Sequence, residues 1–233
     1  ICLWVDDPLL ALHQIALVWR LRFSPRVVGI TGSVGKTTTK EIAAAVLGQR
    51  FVTLKNPGNQ NNEIGLPLTV LALDEQHQML VLEMGMYDVG EIAQLCRIAR
   101  PHVGVVTNVG PVHLERLGSM ERIVQAKTEL VQALPAGGVA VLNADDPLVR
   151  RMRRRCSGDI VWFSIAAPGS RVREFIDDHC RRTSQASFLD LLEKNEIYQD
   201  NRPVMWDVDF QTAIAQAEVV DREAPSAYHF LRF

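Results

Sequence analysis

The sequence predicts an α/β domain built on a mostly parallel sheet with helices on both faces, followed by a mainly helical tail. Two observations lead to this fold class. Short, continuously apolar runs alternate with amphipathic helical segments, which is the pattern of a parallel sheet covered on both sides. The first of these runs, Val27 to Thr31, enters a glycine-spaced turn and leaves it through a helix-forming segment.

The elements follow one another in a regular order. An amphipathic helix is predicted over residues 7–22, and it ends before Ser24-Pro25. The apolar runs then predict strands at 27–31, 51–54, 79–84, 103–109, 139–143 and 160–163. The segments between them predict helices at 36–48, 62–73, 88–99, 119–134 and 146–155. In the tail, two amphipathic stretches predict helices at 187–198 and 210–220.

This order divides the chain into three expected parts. Residues 1–25 form a lead-in helix and linker, residues 26–165 form the α/β core, and residues 166–233 form a tail without a recognisable pattern. Ligands of such sheets bind at the carboxyl ends of the strands. Lys36, Glu83 and Asn108 all come at or just after a strand end, so we expect them on one edge of the sheet.

Composition and charge exclude several classes of protein. With 25 basic and 27 acidic residues among 233, the formal charge of −2 gives no attraction to nucleic acid or to an anionic membrane. No run of eighteen uncharged apolar residues predicts a membrane span or a signal peptide. The four cysteines lack C-x-x-C spacing, so we expect reduced thiols, no zinc site and a cytoplasmic location.

The turn after the first strand is a P-loop pattern of a variant kind. Glycines at 32 and 35 allow backbone N–H groups to close around phosphate oxygens, and the next helix adds its positive dipole end. Lys36 would reach the β- and γ-phosphates of ATP, and the Thr37 hydroxyl would bind Mg²⁺. The usual first glycine is replaced by Ile30, and an ordinary strand-to-helix turn is the alternative. The predicted ATP-binding residues are Thr31, Gly32, Ser33, Val34, Gly35, Lys36, Thr37, Thr38 and, further on, Asn143.

Five further motifs accompany this loop and together resemble the Mur ligase family. After TGSVGKTT at 31–38 come NPGNQNNEIGLP at 56–67, VLEMG at 81–85, TNVGPVH at 107–113, Ala126-Lys127 and LNADD at 142–146. The resemblance covers roughly residues 3 to 165. It implies an ATP-dependent amide ligase of peptidoglycan precursor synthesis, which activates a carboxylate as an acyl phosphate.

The resemblance also implies substrates and missing parts. The pattern is most similar to the members that join D-alanyl-D-alanine to a UDP-N-acetylmuramoyl-tripeptide. In the family an amino-terminal domain binds the UDP-sugar and a carboxyl-terminal domain delivers the amine. Neither is recognisable here, so we expect that the chain alone does not complete ligation and that a partner domain or chain is needed.

Four residues are expected to bind metal, three of them with alternatives. Glu83 is a hard oxygen ligand suited to Mg²⁺, unless it is a solvated strand-end glutamate. By resemblance, His113 helps to hold a second Mg²⁺, although a loop histidine is usually a surface residue. By resemblance Lys127 is carbamylated by CO₂ and becomes a metal ligand; spacing alone favours an exposed lysine paired with Glu121 or Glu129. Thr37 is the fourth ligand, and Lys36, His113 and Lys127 are the predicted catalytic residues.

Asparagines supply the remaining candidates. The Asn143 to Asp146 segment, which includes Asp145, binds adenosine or forms a turn and helix N-cap, and both interpretations remain open. Asn59, Asn61 and Asn62 offer uncharged donors and acceptors for sugar or peptide groups, whereas asparagines in loops otherwise form turns. The resemblance favours substrate contact.

Two other functions compete with the ligase. The first is a related ligase such as folylpolyglutamate or cyanophycin synthetase, which the run from Asn59 to Pro67 and the Glu-Met-Gly-Met sequence disfavour. The second is a truncated or repurposed nucleotide-binding protein without ligase activity, which the unfamiliar tail favours.

Overall fold

The computed structural model describes residues 4–112, 114–164, 205–207 and 212–214. Its helices are α1 Pro8–Arg20, α2 Lys36–Gly48, α3 Gly65–Leu71, α4 Glu91–Ala99, α5 Leu114–Leu117, α6 Met120–Gln132 and α7 Pro147–Met152, with a 3₁₀ turn at Arg153–Arg155. Its strands are β1 Arg26–Thr31, β2 Thr53–Lys55, β3 Met79–Glu83, β4 Val103–Val106, β5 Val139–Asn143, β6 Asp159–Phe163, β7 Met205–Asp207 and β8 Thr212–Ile214.

Six strands form one parallel sheet in the order β2-β3-β1-β4-β5-β6. This confirms the predicted fold class. Because Ile30 pairs with Glu83 and Thr31 with Val106, the carboxyl ends of the three central strands lie side by side. The loops that follow these strands therefore meet at one edge of the sheet.

The central strand is buried on both faces, and the residues alternate between two hydrophobic clusters. Val27 belongs to the larger cluster, which also contains apolar residues of α1, α3, α4 and α6. Val28 and Ile30 belong to a smaller cluster that includes Ala44 of α2. Each fully buried side chain of this size stabilises the fold by about 1.5–3 kcal/mol. The alternation explains why the strand reads as one continuous apolar run.

Several elements are shorter than predicted because local side-chain hydrogen bonds or the backbone conformation of a glycine set their ends. The helix predicted from residue 62 begins at Gly65, since Asn62 Oδ1 accepts the Gly65 N–H at 2.8 Å and forms a turn instead. The helix predicted from residue 88 begins after Gly90, whose φ of 99° is left-handed. The fourth strand ends at Val106 rather than 109, because Asn108 bonds to the turn after β1.

The first helix packs on the sheet domain. Asp7 caps it by accepting N–H groups of Leu9 and Leu10. Arg20 is buried, and its Nε donates to the Ala99 carbonyl at 3.0 Å. None of the described helices combines the length and apolar character that a membrane crossing requires.

In the tail, the prediction of a helix over 210–220 is wrong where the structure describes it. Residues 212–214 form β8, which pairs antiparallel with β7. The pairing with residues 205–207 holds these three residues in an extended conformation instead of a helix. The predicted helix at 187–198 lies outside the described residues.

Candidate nucleotide-binding site

The turn between β1 and α2 needs its two glycines for different reasons. Gly32 has a φ of 152°, and a Cβ there would lie 1.8 Å from Thr107 Oγ1, so no side chain fits. Gly35 has a φ of 82° and stands at the N-cap of α2, where no side chain accepts the first helical N–H groups. A helix start without a side-chain cap, next to a closely packed turn, is suited to bind an anion.

The turn is held in place from the neighbouring strand. Asn108 Oδ1 accepts the N–H groups of Ser33 at 3.1 Å and Val34 at 2.9 Å. Thr107 Oγ1 donates to the Val34 carbonyl at 2.6 Å, and Ser33 Oγ accepts the Gly110 N–H at 2.7 Å. The loop after β4 therefore fixes the conformation of the turn after β1. The position of Asn108 after a strand predicted its place at this edge, but the sequence indicated no role for it.

Lys36 begins α2 and is 5% exposed. Its Nζ donates to the Ser33 carbonyl at 3.1 Å. The side chain thus folds back along the turn and lines a cleft at the carboxyl edge of the sheet. Thr37 is half-buried next to it and Thr38 is exposed.

Glu83 ends β3 with a fully buried carboxylate, so the solvated alternative is wrong. Asn56 holds its backbone: Asn56 Oδ1 accepts the Glu83 N–H at 2.9 Å, and Asn56 Nδ2 donates to the Glu83 carbonyl at 3.0 Å. Asn61 Nδ2 donates to Glu83 Oε1 at 2.7 Å. Glu83 Oε2 is buried without a hydrogen-bond partner. A buried carboxylate oxygen without a partner fits a hard cation such as Mg²⁺.

Lys40 is a residue of this site that sequence analysis missed. It is fully buried, and its Nζ lies 3.9 Å from Glu83 Oε2. The available signal was its position four residues after Lys36, because residues at that spacing share one face of a helix. A lysine on the buried face of a helix must have a partner, and that requirement could have been stated in advance.

Lys127 lies on α6 and is 2% exposed, so the alternative of an exposed helix lysine is wrong. It lines the same cleft as Lys36. Glu129, one of its suggested partners, instead accepts the N–H groups of Gly90 at 2.6 Å and Ala93 at 2.9 Å at the start of α4. Burial raises the pKa of the Glu129 carboxyl despite these two hydrogen bonds.

The remaining lining of the cleft comes from the turn after β1, the asparagine-rich segment after β2, the loop after β3, and α4. Its residues are Gly32, Asn61, Asn62, Glu63, Gly85, Met86, Tyr87, Glu91, Gln94 and Leu95. Asn61 and Asn62 are thus brought to the cleft as expected. Asn59 is exposed and is not part of this lining.

Asn143 and Asp146 have structural partners. Asn143 Nδ2 donates to the Thr107 carbonyl at 2.8 Å, and its Oδ1 accepts the Asp145 N–H at 2.9 Å. Asp146 is the N-cap of α7 and also accepts the Val109 N–H at 2.7 Å. The segment thus forms a turn and a helix N-cap, as one of the two interpretations predicted. Its bonds to Thr107 and Val109 stabilise the loop after β4, which in turn holds the turn after β1.

His113 lies outside the described residues. Within the part of the chain that the structure describes, no three His, Cys, Asp or Glu side chains gather closely enough to hold a metal. Among the described residues at this edge, the buried Glu83 carboxylate is the side chain whose chemistry best fits a divalent cation.

A glycine-spaced turn between a buried strand and an uncapped helix, with buried lysines on that helix and a buried carboxylate at the end of the neighbouring strand, defines a P-loop nucleotide-binding domain. Residues 30–204 match the Mur ligase middle domain. The chain belongs to the Mur ligase family, which confirms the resemblance. The match continues beyond residue 165, so part of the segment that showed no recognisable pattern is related to the family.

Relatives and solved structures agree with this assignment. The UDP-N-acetylmuramoyl-tripeptide–D-alanyl-D-alanine ligase of Bacillus subtilis is 49% identical over 146 residues, covering 63% of this chain and 32% of the relative. The ligase of that name from Haemophilus influenzae is 31% identical over 215 residues, 91% of this chain and 46% of the relative. The MurF ligase of Thermotoga maritima in complex with ADP superposes with a TM-score of 0.66 at 40% identity, covering 71% of this chain and 38% of that one. The chain thus spans between a third and a half of the relatives' length.

Proposed function

We propose that this chain binds Mg·ATP at the turn after β1 and forms the nucleotide-binding core of a ligase. That ligase would add D-alanyl-D-alanine to UDP-N-acetylmuramoyl-tripeptide in cytoplasmic peptidoglycan precursor synthesis. The observation that carries the proposal is the turn of residues 32–36 at the uncapped start of α2, together with Glu83, which ends the neighbouring strand and has a buried Oε2 without a hydrogen-bond partner. The ADP complex of the Thermotoga maritima relative supports it.

The nucleotide would lie with its phosphates over the start of α2. Backbone N–H groups of the turn donate to the phosphate oxygens, and the Lys36 ammonium neutralises the terminal phosphates. Thr37 and Glu83 would hold Mg²⁺, because a hydroxyl and a carboxylate are ligands it prefers. When bound, Mg²⁺ supplies charge neutralisation between the polyphosphate and an approaching carboxylate.

Lys127 would act from the opposite wall of the cleft. Its burial there suits the carbamylated form that the family implies, since CO₂ converts the amine into an anionic oxygen ligand. His113 is proposed as a ligand on resemblance alone. Lys127 and His113 would thus be ligands of a second Mg²⁺. Replacing Lys127 would test the part of this set that depends on the carbamylated lysine.

The substrates would meet above the turn. The carboxylate of the muramoyl-tripeptide attacks the γ-phosphorus, ADP leaves, and an acyl phosphate forms. The amine of D-alanyl-D-alanine then attacks the acyl carbon, and inorganic phosphate leaves with the new amide bond in place. Asn61 and Asn62 line the cleft and would orient the peptide, with Asn59 proposed at its outer end. Asn143 would contact adenosine in addition to its bond to Thr107.

The competing functions have less support. The relatives named above are UDP-N-acetylmuramoyl-tripeptide–D-alanyl-D-alanine ligases, which favours that reaction over folylpolyglutamate or cyanophycin synthesis. Free thiols at Cys96 and Cys156 suit a reducing compartment. A nucleotide-binding protein without ligase activity remains the alternative that the experiment below distinguishes.

The test separates binding from ligation. Lys36→Ala should weaken Mg·ATP binding about 100-fold in a calorimetric titration, because a charge-assisted bond to phosphate is lost. Unchanged affinity would refute the site. Phosphate release and ligated product are then followed with both substrates present. Positioning contributes about 7–11 kcal/mol in such reactions, so we expect this chain alone to be far slower than about 1 s⁻¹. Product at that rate would show that it needs no further domain.

A further inference from the structure

Lys40 is a fully buried cation on the same face of α2 as Lys36. An ammonium group has three N–H donors. Three oxygens surround this one at hydrogen-bonding distance: the carbonyls of Asn56 and Gly58, both at 2.9 Å, and Glu41 Oε1 at 3.1 Å. The donors of Lys40 are therefore used mainly to hold the asparagine-rich segment of residues 56–61 against the P-loop helix.

The fourth neighbour of the ammonium differs from these three. Glu83 Oε2 lies 3.9 Å away, beyond hydrogen-bonding distance, and has no other partner. Lys40 thus lies beside the carboxylate without occupying this oxygen. The arrangement leaves Oε2 open while the rest of the glutamate is fixed.

The segment that Lys40 holds is also the one that fixes Glu83. Asn56 bonds to the Glu83 N–H and carbonyl, and Asn61 donates to Oε1. The Asn61 carbonyl in turn accepts the Gly85 N–H at 2.9 Å. Hydrogen bonds therefore run without interruption from Lys40 through the segment to the end of β3.

We propose that Lys40 is a positioning residue for the metal-binding carboxylate. By fixing residues 56–61 on α2, it keeps Glu83 in the orientation that presents Oε2 to a divalent cation. This inference rests on the proposed function, in which Mg·ATP binds at this edge. Lys40 bonds to this segment rather than to Oε2, and it would act through Asn56 and Asn61.

A role through charge alone makes the opposite prediction. A cation 3.9 Å from Oε2 repels Mg²⁺, so removing it would strengthen metal binding if charge were its only contribution. A positioning role requires that removal weaken metal binding, because the carboxylate is no longer held in place. The sign of the change therefore distinguishes the two roles.

The first experiment measures how ATP binding depends on Mg²⁺ concentration. Lys40→Met, which keeps most of the length of the side chain but removes its donors, should need about 10–100-fold more Mg²⁺. Lys55→Met is the matched control: Lys55 pairs with the same Glu41 but is exposed, and its change should leave the Mg²⁺ requirement unaltered. A Mg²⁺ requirement for Lys40→Met that is equal to or lower than that of the unmodified chain would overturn the proposal.

The second experiment needs no nucleotide. Amide hydrogen exchange in peptides covering 56–61 and 83–85 should be about tenfold faster in Lys40→Met, while exchange in β5 is unchanged. If Lys40→Met unfolds, Lys40→Gln retains an amide donor and should show a smaller acceleration in the same peptides. Unaltered exchange there, in a folded variant, would overturn the proposal. A chain that binds no Mg·ATP would refute the proposed function, and the exchange data would still decide whether Lys40 holds the segment.

Discussion

The loop after β4 holds the nucleotide turn through neutral groups, whereas the contacts around Glu83 include a second buried charge. Asn108, Thr107 and Ser33 hold the turn through carboxamide, hydroxyl and backbone bonds. On the other side, Lys40 and Glu83 are both fully buried. The first region depends on backbone shape and the second on the pairing of charges that would be unfavourable alone.

This difference affects how each region tolerates change. A shape-dependent turn fails when an atom is added, because there is no room for it. A charge-dependent cluster fails when an atom is removed, because the remaining partner is left buried without compensation. Substitutions that add atoms to the turn, and substitutions that remove atoms from the cluster around Glu83, therefore test this difference directly.

The largest effect is expected at Lys127, the buried lysine of α6 that lines the cleft. In a ligase-competent form containing this sequence, Lys127→Ala should lower kcat by roughly 10²–10³-fold or more, as loss of a charge-stabilising group does. Short carboxylic acids added to the assay should restore part of the activity, and bicarbonate should not. A fully active variant whose rate does not respond to bicarbonate would contradict a carbamylated lysine.

The next effect tests the shape-dependent turn. Gly32→Ala should destabilise the fold by roughly 2–4 kcal/mol, since its Cβ would lie 1.8 Å from Thr107 Oγ1 and its φ is unfavourable. Gly35→Ala meets no atom within 4 Å and should cost only about 1–2 kcal/mol for its left-handed φ. Urea unfolding of both variants measures the difference, and equal losses would remove the argument from close packing.

A smaller effect tests the charge-dependent cluster. Asn61→Ala leaves Glu83 Oε1 without its 2.7 Å donor and should reduce the free energy of unfolding by about 1–3 kcal/mol. Asn59→Ala, in the same segment but exposed, should change it by less than about 0.5 kcal/mol. The pair is compared by chemical denaturation. Similar losses in both would mean that the segment, rather than the carboxylate contact, sets the stability.

The smallest effect lies at the opposite edge of the sheet and concerns pH. Burial, followed by the charges of Arg20 and Arg26, lowers the pKa of His102, whose Nδ1 accepts the Val27 N–H at 3.1 Å. The folded chain therefore binds this proton less readily than the unfolded chain. The stability linked to His102 is present above pH 6.5 and declines as pH falls below it, by at most about 1.4 kcal/mol per pH unit. In thermal melts between pH 7 and 5, His102→Asn should make the stability depend less on pH. An unchanged slope would show that other groups cause the pH dependence.

The same contrast explains what could be predicted from the sequence. Five strands of the main sheet were found because each contains a local apolar run, whereas β2, predicted at 51–54, lies at Thr53–Lys55. The nucleotide turn was found because its glycines are close in sequence. Lys40 and Asn56 were missed as members of the site, since their roles depend on contacts with Glu83 across 43 and 27 residues of chain. The strand at 212–214 was missed because its pairing with β7 outweighs its helical spacing.

One consequence of the contacts between Asn108 and the nucleotide turn concerns protein synthesis. Ser33 and its acceptor are separated by 75 residues. At a ribosomal rate of about 5–20 residues per second, the glycine-rich turn is made roughly 4–15 s before the residue that holds it. During that interval the nascent chain lacks the groups that shape the phosphate cradle. Under the proposed function, nucleotide would therefore stabilise the chain only after β4 has joined the sheet.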